Sequence, residues 1–396
     1  MKTDQFKVRE QNVSIVLQEI IKSNGISRIQ LSKITGLNKT SITAITANLL
    51  DRKIILEKGT GEGGISGGRK PIMIYFNEKA GTSLLLDIDA GYLKFTATYL
   101  NQQIISQSKQ TDVNTTKDNV IETITQLIDQ NINKLPETDL GVIGLTIAIH
   151  GSVDHKKITF TPRSNIDQID LFHILQDKYD FDIHIENEAI LSTFGEYSFT
   201  SHSNYLINFS LGNGIRAGII QNGVLEKGRS GNAGEVGHTI IKKDGLRCIC
   251  GNSGCLEQYT SLSAIYRQFS QIKNMNFVNM IIIREYFRND DPETLDFIKE
   301  IVDMLSISIN TLVMMFDPEI ITLNGDLFKE LPEISEMIKT NLKSTFAKKL
   351  ILRNSFLHDR AAIFGALALN VQHYFDIPNL KYNRDYIQEV QASNTY

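Results

Sequence analysis

Leu84-Leu85-Leu86-Asp87-Ile88-Asp89-Ala90-Gly91 is an apolar run that ends in two carboxylates and a turn. A short apolar stretch closed by a glycine reads as a buried strand and is too brief for a helix. The pattern recurs at Tyr205-Leu206-Ile207-Asn208-Phe209, turns at Gly212-Asn213-Gly214 and returns through Ala217–Ile220. After the first copy, a helix carrying Val120, Ile124, Leu127 and Ile128 precedes a strand at Val142–Ile149. A further strand, Asp182–Ile185, ends at Glu186-Asn187-Glu188, where a helix begins. After the second copy, a long helix around Ile301–Met315 leads to the strand Ile320–Leu323 and the turn Asn324-Gly325. Strands alternating with amphipathic helices, in two sets each led by strand-turn-strand, predict two α/β lobes with a ligand cleft between them. The expected boundaries are 79–200 and 201–371, with a helix at about 372–390 returning to the first lobe.

Residues 1–78 follow another rule. Val13, Val16, Leu17, Ile20 and Ile21 form one helical stripe that Asn24-Gly25 ends. Ser27 with Gln30 makes a capping-box start for a short helix expected to turn Leu31 and Ile34 inward. Thr35-Gly36-Leu37-Asn38 is a tight turn, and a third helix from about Lys39 carries Ile42, Ile45 and Leu49 in its core stripe. Ile54-Ile55-Leu56 and Ile72-Met73-Ile74-Tyr75 then flank a tip with six glycines among residues 59–68. Helix, turn, helix and a two-stranded wing describe a DNA reader. Its expected contacts are Arg28, the outward face Lys39, Thr40, Ser41 and Thr43, and the tip residues Arg69 and Lys70. A three-helix protein-interaction domain is the competing reading. A phosphate-binding P-loop is rejected, because Gly63-x4-Gly68 leads into Arg-Lys and lacks the required Lys-Ser/Thr.

Composition sets the outer limits. The chain has 396 residues, 41% hydrophobic and 22% charged, which excludes a disordered or collagen-like chain. No apolar run is long enough for a membrane span, and no secretion signal opens the chain, so the expected compartment is the cytoplasm. The net charge of −4 conceals an asymmetry: residues 1–75 hold 12 Lys and Arg against 6 Asp and Glu, and the remainder is net acidic. A basic head on an acidic body fits a protein of which one part meets phosphates. The three cysteines, Cys248, Cys250 and Cys255, lie within eight residues, a grouping that points to metal and away from a disulfide framework.

The body resembles the ROK proteins. The resemblance rests on Asp87–Gly91, Gly144 with Ile149-His150-Gly151-Ser152-Val153-Asp154, Glu186-Asn187-Glu188-Ala189, Gly231–His238 and Cys248–Glu257, in that order. The head and Gly67-Gly68-Arg69-Lys70-Pro71 resemble its repressor branch, xylose repressors above all. The resemblance implies a bilobal actin-like, ribonuclease-H-type ATPase fold, here carrying a winged helix-turn-helix. It also implies structural zinc on His238, Cys248, Cys250 and Cys255, a donor set suited to a closed tetrahedral site. By carry-over, sugar contacts fall on Asn187, Glu188, Glu235, His238 and Glu257. Alone, each acid reads as a solvated helix end or loop. Arg163 stands where the family's kinases carry a sugar-contacting Asn, with Asn165 two residues on, and an Arg suits an acidic or phosphorylated sugar.

The kinase chemistry of the family looks lost. Asp89 replaces a glycine of the first phosphate loop, Arg216 replaces one in the second, and Glu188 stands at the catalytic Asp. A carboxylate beside a triphosphate opposes its binding. The expected function is a sugar-responsive repressor that binds operator DNA as a homodimer or tetramer and is released by a monosaccharide inducer. An ATP-dependent sugar kinase with a DNA-binding head is the alternative, and a constitutive DNA-binding protein with a vestigial sugar site is a third.

Overall fold

A computed structural model describes residues 2–60, 70–113, 119–161 and 166–383. Its contacts divide the chain into two units: residues 1–200 with 363–396, and residues 201–362.

The first unit begins with the head. Helix α1 (Lys2–Lys22) buries Val16, Leu17, Ile20 and Ile21, and the chain leaves it through Gly25 at φ 94°. Strand β1 (Ile26–Ser27) leads into α2 (Arg28–Thr35), and α3 spans Lys39–Asp51. The Ser27–Gln30 capping box is present in both directions, and Asn38 caps α3 by accepting from the Ser41 N–H. Strands β2 (Ile55–Thr60) and β3 (Ile72–Phe76) pair antiparallel, and β1 joins the other edge of β3. One expectation fails: Ile34 is 59% exposed, whereas Leu31 is fully buried. α2 has only eight residues and touches the core through a single turn, so the position three residues on faces water.

The rest of this unit is a five-stranded sheet. Strands β4 (Thr82–Asp89), β5 (Gly91–Tyr99) and β6 (Ile104–Val113) form an antiparallel meander, followed by helix α4 (Val120–Ile132) and strand β7 (Val142–Ile149). A hairpin of β8 (Ser152–Asp154) and β9 (Lys157–Phe160) and helix α5 (Leu171–Lys178) lead to β10 (Ile183–Asn187) and α6 (Glu188–Gly195). The spatial order is β6-β5-β4-β7-β10, with β7 parallel to both β4 and β10.

The second unit repeats that order. Strands β11 (Leu206–Leu211), β12 (Ile215–Gln221) and β13 (Val224–Leu225) form the meander. A long excursion through α7 (Glu257–Thr260), α8 (Leu262–Lys273), α9 (Met280–Arg288) and α10 (Pro292–Phe316) reaches β14 (Ile320–Asn324). Helices α11 (Asp326–Glu330) and α12 (Ile334–Asn341) precede β15 (Ile351–Asn354), and the order is β13-β12-β11-β14-β15. Two sheets of this strand order give the ribonuclease-H-type architecture that the sequence implied, twice in one chain.

Helix α13 (Ala361–Tyr374) carries the chain back to the first unit; of the 372–390 expected for a returning helix, residues 384–390 lie outside the described residues. Asn370 is fully buried and stitches it there. Its amide nitrogen donates to Ser83 Oγ at 2.8 Å and to the Leu84 and Gly144 carbonyls, while its oxygen accepts from Thr146 Oγ1 at 2.8 Å. Among the described residues no helix is long and apolar enough to cross a membrane.

Candidate metal centre and effector-site residues

The cysteine loop is folded by its glycines. Gly251 (φ 97°) and Gly254 (φ 85°) adopt left-handed backbone, and a Cβ on Gly254 would lie 1.7 Å from the Lys242 carbonyl oxygen. The N–H of Cys248 donates to the Asn252 carbonyl at 2.8 Å, and Ile240 bridges to Cys255, so the loop folds back on itself. The Tyr259 hydroxyl accepts from the Leu246 N–H at 2.7 Å and ties the loop to α7.

Within this loop the ligand atoms of His238, Cys248, Cys250 and Cys255 lie within 4.8 Å of one another. Cys248 Sγ is 3.4 Å from His238 Nδ1, and Cys250 Sγ is 3.6 Å from Cys255 Sγ. The cysteines are free of disulfides. Burial and the neighbouring sulfurs push the Cys255 thiol up to about 12, whereas the Asn252 N–H holds Cys250 below its usual value. Three sulfurs and an imidazole in one knot are costly as thiols and favourable as thiolates around a soft divalent cation. The donor set therefore fits a metal ion. Nδ1 faces the sulfurs, which leaves Nε2 of His238 to meet another group. Gln258 Nε2 donates to Cys248 Sγ at 3.5 Å, a support that the sequence reading missed.

Two carboxylates of the same unit meet residues of β12, one through the backbone and one through a side chain. Glu257 Oε2 accepts from the Ile215 N–H at 3.3 Å, in the space left by Gly214 and Gly237. Glu235 Oε1 receives a 2.7 Å hydrogen bond from Arg216, whose other nitrogen donates to the Gly231 carbonyl at 2.6 Å. Arg216 is 8% exposed. Sequence reasoning took it as bulk obstructing a phosphate loop, but it also pins the 231–235 loop and neutralises Glu235.

In the first unit, Asn187 and Glu188 sit where β10 passes into α6. Asn187 caps the helix, with Oδ1 accepting from the Ala189 and Ile190 N–H groups and Nδ2 donating to the Gly151 carbonyl at 2.6 Å. Its side chain is thus already committed to local structure. Glu188 accepts from Ser192 Oγ at 2.8 Å, and burial raises its pKa. A group that the sequence reading did not single out lies nearby in the charge network. His150 Nε2 is 2.9 Å from Asp87 Oδ1, and the Tyr92 hydroxyl donates to Asp87 Oδ2 at 3.1 Å. Burial pulls the His150 pKa down, but Asp87, Glu188 and Asp89 more than reverse this and push it up to about 9. Burial and the same carboxylates raise Tyr92. β4 passes into β5 through Ala90 and Gly91 (φ 88°), and Asp89 accepts from the Ala90 N–H at 2.7 Å. The turn thus carries a carboxylate that occupies its own backbone amide. Pro162–Asn165, including Arg163, lies outside the described residues.

A family model described as the ROK family matches residues 85–373. The chain belongs to the ROK family. A xylose repressor from Bacillus spizizenii is 33% identical over 94% of this ROK chain and 98% of its own length. NagC, a DNA-binding transcriptional dual regulator of Escherichia coli, is 26% identical over 91% of this chain and 92% of its own. Among solved structures, a ROK family transcriptional regulator homologous to the E. coli MLC protein superposes with a TM-score of 0.80 at 25% identity. That match covers 96% of this chain and 99% of the other. A ROK glucokinase from Streptomyces griseus shares the fold over 74% of this chain, with a TM-score of 0.63 at 24% identity.

The head of this ROK protein presents one exposed face of α3, comprising Lys39, Thr40, Thr43, Ala44 and Ala47, with Ser41 half-buried. Lys70 is exposed, and Arg69 lies outside the described residues. Arg28 is engaged within the head: Nε donates to Thr46 Oγ1 at 2.9 Å and Nη1 to Glu57 Oε1 at 2.6 Å. It braces α2 against α3 and β2.

Proposed function

We propose that this chain is a sugar-responsive transcriptional repressor, with the helix-turn-helix head reading operator DNA and the ROK body sensing a monosaccharide. The observation that carries the reading is coverage. The likeness to the Bacillus xylose repressor and to the MLC-like regulator runs through head and body alike, whereas the glucokinase matches only part of the chain. The exposed face of α3 offers Lys39, Thr40, Ser41 and Thr43 to the major groove, with Arg69 and Lys70 as further DNA contacts. Asn187, Glu188, Glu235, His238 and Glu257 are the proposed sugar contacts, and xylose or a related sugar is the effector. His238 then has two duties, with Nδ1 toward the metal and Nε2 toward a hydroxyl. Zinc held by His238, Cys248, Cys250 and Cys255 would fix that ring and supply no chemistry of its own. Loss of kinase activity is supported by the carboxylate of Asp89 in the first turn and by Arg216 committed to Glu235. A homodimer in the cytoplasm completes the proposal, since two heads related by a two-fold axis match two half-sites.

A mobility-shift titration tests it, using genomic fragments selected for binding to the full-length protein. Addition of D-xylose or a related monosaccharide should weaken the complex. A complex that no sugar affects, or that sugar strengthens, overturns the inducer reading. An ATPase assay with the same sugars should stay at background; turnover would favour a kinase carrying a DNA-binding head.

A further inference from the structure

The first unit holds two of the proposed sugar contacts, and one of them is already engaged. Asn187 Oδ1 caps α6, and its Nδ2 donates to the Gly151 carbonyl. Glu188 differs. Its Oε1 accepts from Ser192, while Oε2 has no partner among the described residues and is not sealed from solvent. A carboxylate accepts from one sugar hydroxyl but offers nothing that donates to the next.

The neighbouring strand ends supply a donor. β4, β7 and β10 run parallel, and their carboxyl ends lie side by side, with Ile88 opposite Ile149 and Ile149 opposite Asn187. Open α/β sheets bind ligands beyond that edge. This register brings Asp87 and Asp89, His150 and Glu188 to one edge. His150 Nε2 donates to Asp87 Oδ1 at 2.9 Å, and Asp87 Oδ2 is taken by the Tyr92 hydroxyl. The ring is thereby oriented, and its Nδ1 is left with no partner among the described residues and open to solvent; the side chain is 33% exposed. The backbone beneath it is fixed as well. A Cβ on Gly151 would lie 2.2 Å from the Phe160 carbonyl oxygen, so the chain passes tight against β9 while Asn187 holds it from the other side.

We propose that His150 is a further sugar-contacting residue, its Nδ1–H donating to one hydroxyl while Glu188 Oε2 accepts from a neighbouring one, and that this edge selects an uncharged sugar over its phosphate ester. The inference rests on the sugar-sensor reading. The charged groups coupled to the imidazole are Asp87 and Asp89 of β4 and Glu188 of α6, and together they push its pKa up to about 9. Tyr92 of β5 meets the ring edge-on, with the Lys109 ammonium of β6 4.5 Å above the tyrosine ring. At neutral pH Nδ1 therefore carries a proton and donates. Three carboxylates against one imidazolium and one ammonium leave no surplus positive charge, even with a proton on Glu188. A phosphate dianion gains nothing there, whereas a sugar hydroxyl both donates and accepts.

The test is calorimetric titration of the full-length protein with D-xylose, D-glucose and D-glucose 6-phosphate, comparing wild type with His150→Leu, His150→Gln and Asp87→Asn. At least one neutral sugar should bind wild type, and His150→Leu should weaken it about tenfold or more, the worth of one hydrogen bond to a charged group. His150→Gln keeps a donor and should recover part of that loss. D-glucose 6-phosphate should bind more weakly than D-glucose. Asp87 is a positioning residue: Asp87→Asn leaves the imidazole but removes its main source of charge, so binding should weaken between pH 6 and pH 8, where wild type holds steady. If wild type binds neither neutral sugar, the sensor reading and this one fall together. If wild type binds and His150→Leu binds equally well, this inference alone is overturned. Tighter binding of the phosphate ester overturns the selection. Should His150→Leu fold poorly, the Asp87→Asn profile decides, and a profile parallel to that of wild type takes His150 off the sugar.

Discussion

Replacing Arg216 by Met keeps most of the aliphatic stem and removes the guanidinium. The loss is one charge-paired hydrogen bond to Glu235 at 2.7 Å, one to the Gly231 carbonyl at 2.6 Å and a longer one to Ala233 at 3.4 Å. Bonds to a charged group contribute about 1.5–3 kcal/mol each. Two effects oppose that loss. The Glu235 side chain is 29% exposed and can rehydrate, and Arg216 Nε is buried without a partner, so its removal recovers a desolvation cost. The net expectation is destabilisation of about 1–3 kcal/mol, or roughly 2–10 °C in the melting temperature of the second unit. Faster amide exchange should be confined to Gly231–Glu235 and the adjoining end of β12. Urea unfolding of Arg216→Met, Glu235→Gln and the double variant gives the coupling energy directly, and about 1 kcal/mol or more is expected. A coupling near zero, with unchanged exchange in the loop, would refute the assignment of Arg216 as the pin of that loop.

Three further outcomes follow from the geometry. Metal analysis should find one zinc per chain. Chelation should lower the melting temperature by about 8–16 °C if the site is filled a thousandfold above its Kd, a linkage of about 4 kcal/mol. Cys250 is exposed, so Cys250→Ser should abolish the metal with little loss of packing; retention of zinc in that variant would remove Cys250 from the ligand set. The His150 pKa, about 9 when folded against about 6.5 unfolded, gives stability that is full below pH 6.5 and lost as pH rises through about 9. With the side chain one-third exposed, His150→Gln should cost about 1–2 kcal/mol more at pH 6 than at pH 9.5 in matched unfolding titrations, and an equal cost at both would contradict the pairing. Finally, Lys39→Ala should flatten the logarithmic salt dependence of operator binding by about 0.9, the share of one phosphate contact; an unchanged slope would take Lys39 off the DNA.

What could be read in advance was local or periodic. The capping box at Ser27 and Gln30, the turn at Thr35–Asn38 and the stripe of α3 depend on residues within a turn or so of one another. The repeated strand-turn-strand sets disclosed two lobes for the same reason. Ile34 misled because helical periodicity assigns a face to each residue but does not say whether a neighbour covers it. Arg28 is expected at the DNA, yet its partners within the head, Thr46 and Glu57, lie on other elements and are reachable only once the head has folded. The same holds for Arg216 and Glu235, 19 positions apart, and for Asp87 with His150, 63 apart.

The polar stitch at Asn370 also constrains how the chain can be made. Its partners, Ser83 and Thr146, leave the ribosome long before it does. The first unit acquires its closing helix only after the whole second unit has been synthesised, an interval of about 170 residues, or about 10–30 s at cellular elongation rates. During that interval the nascent sheet lacks both the amide that joins Ser83 to Thr146 and the apolar cover of α13. The newborn protein is therefore most vulnerable to misassociation before α13 arrives, and truncations that remove α13 should injure the N-terminal half first.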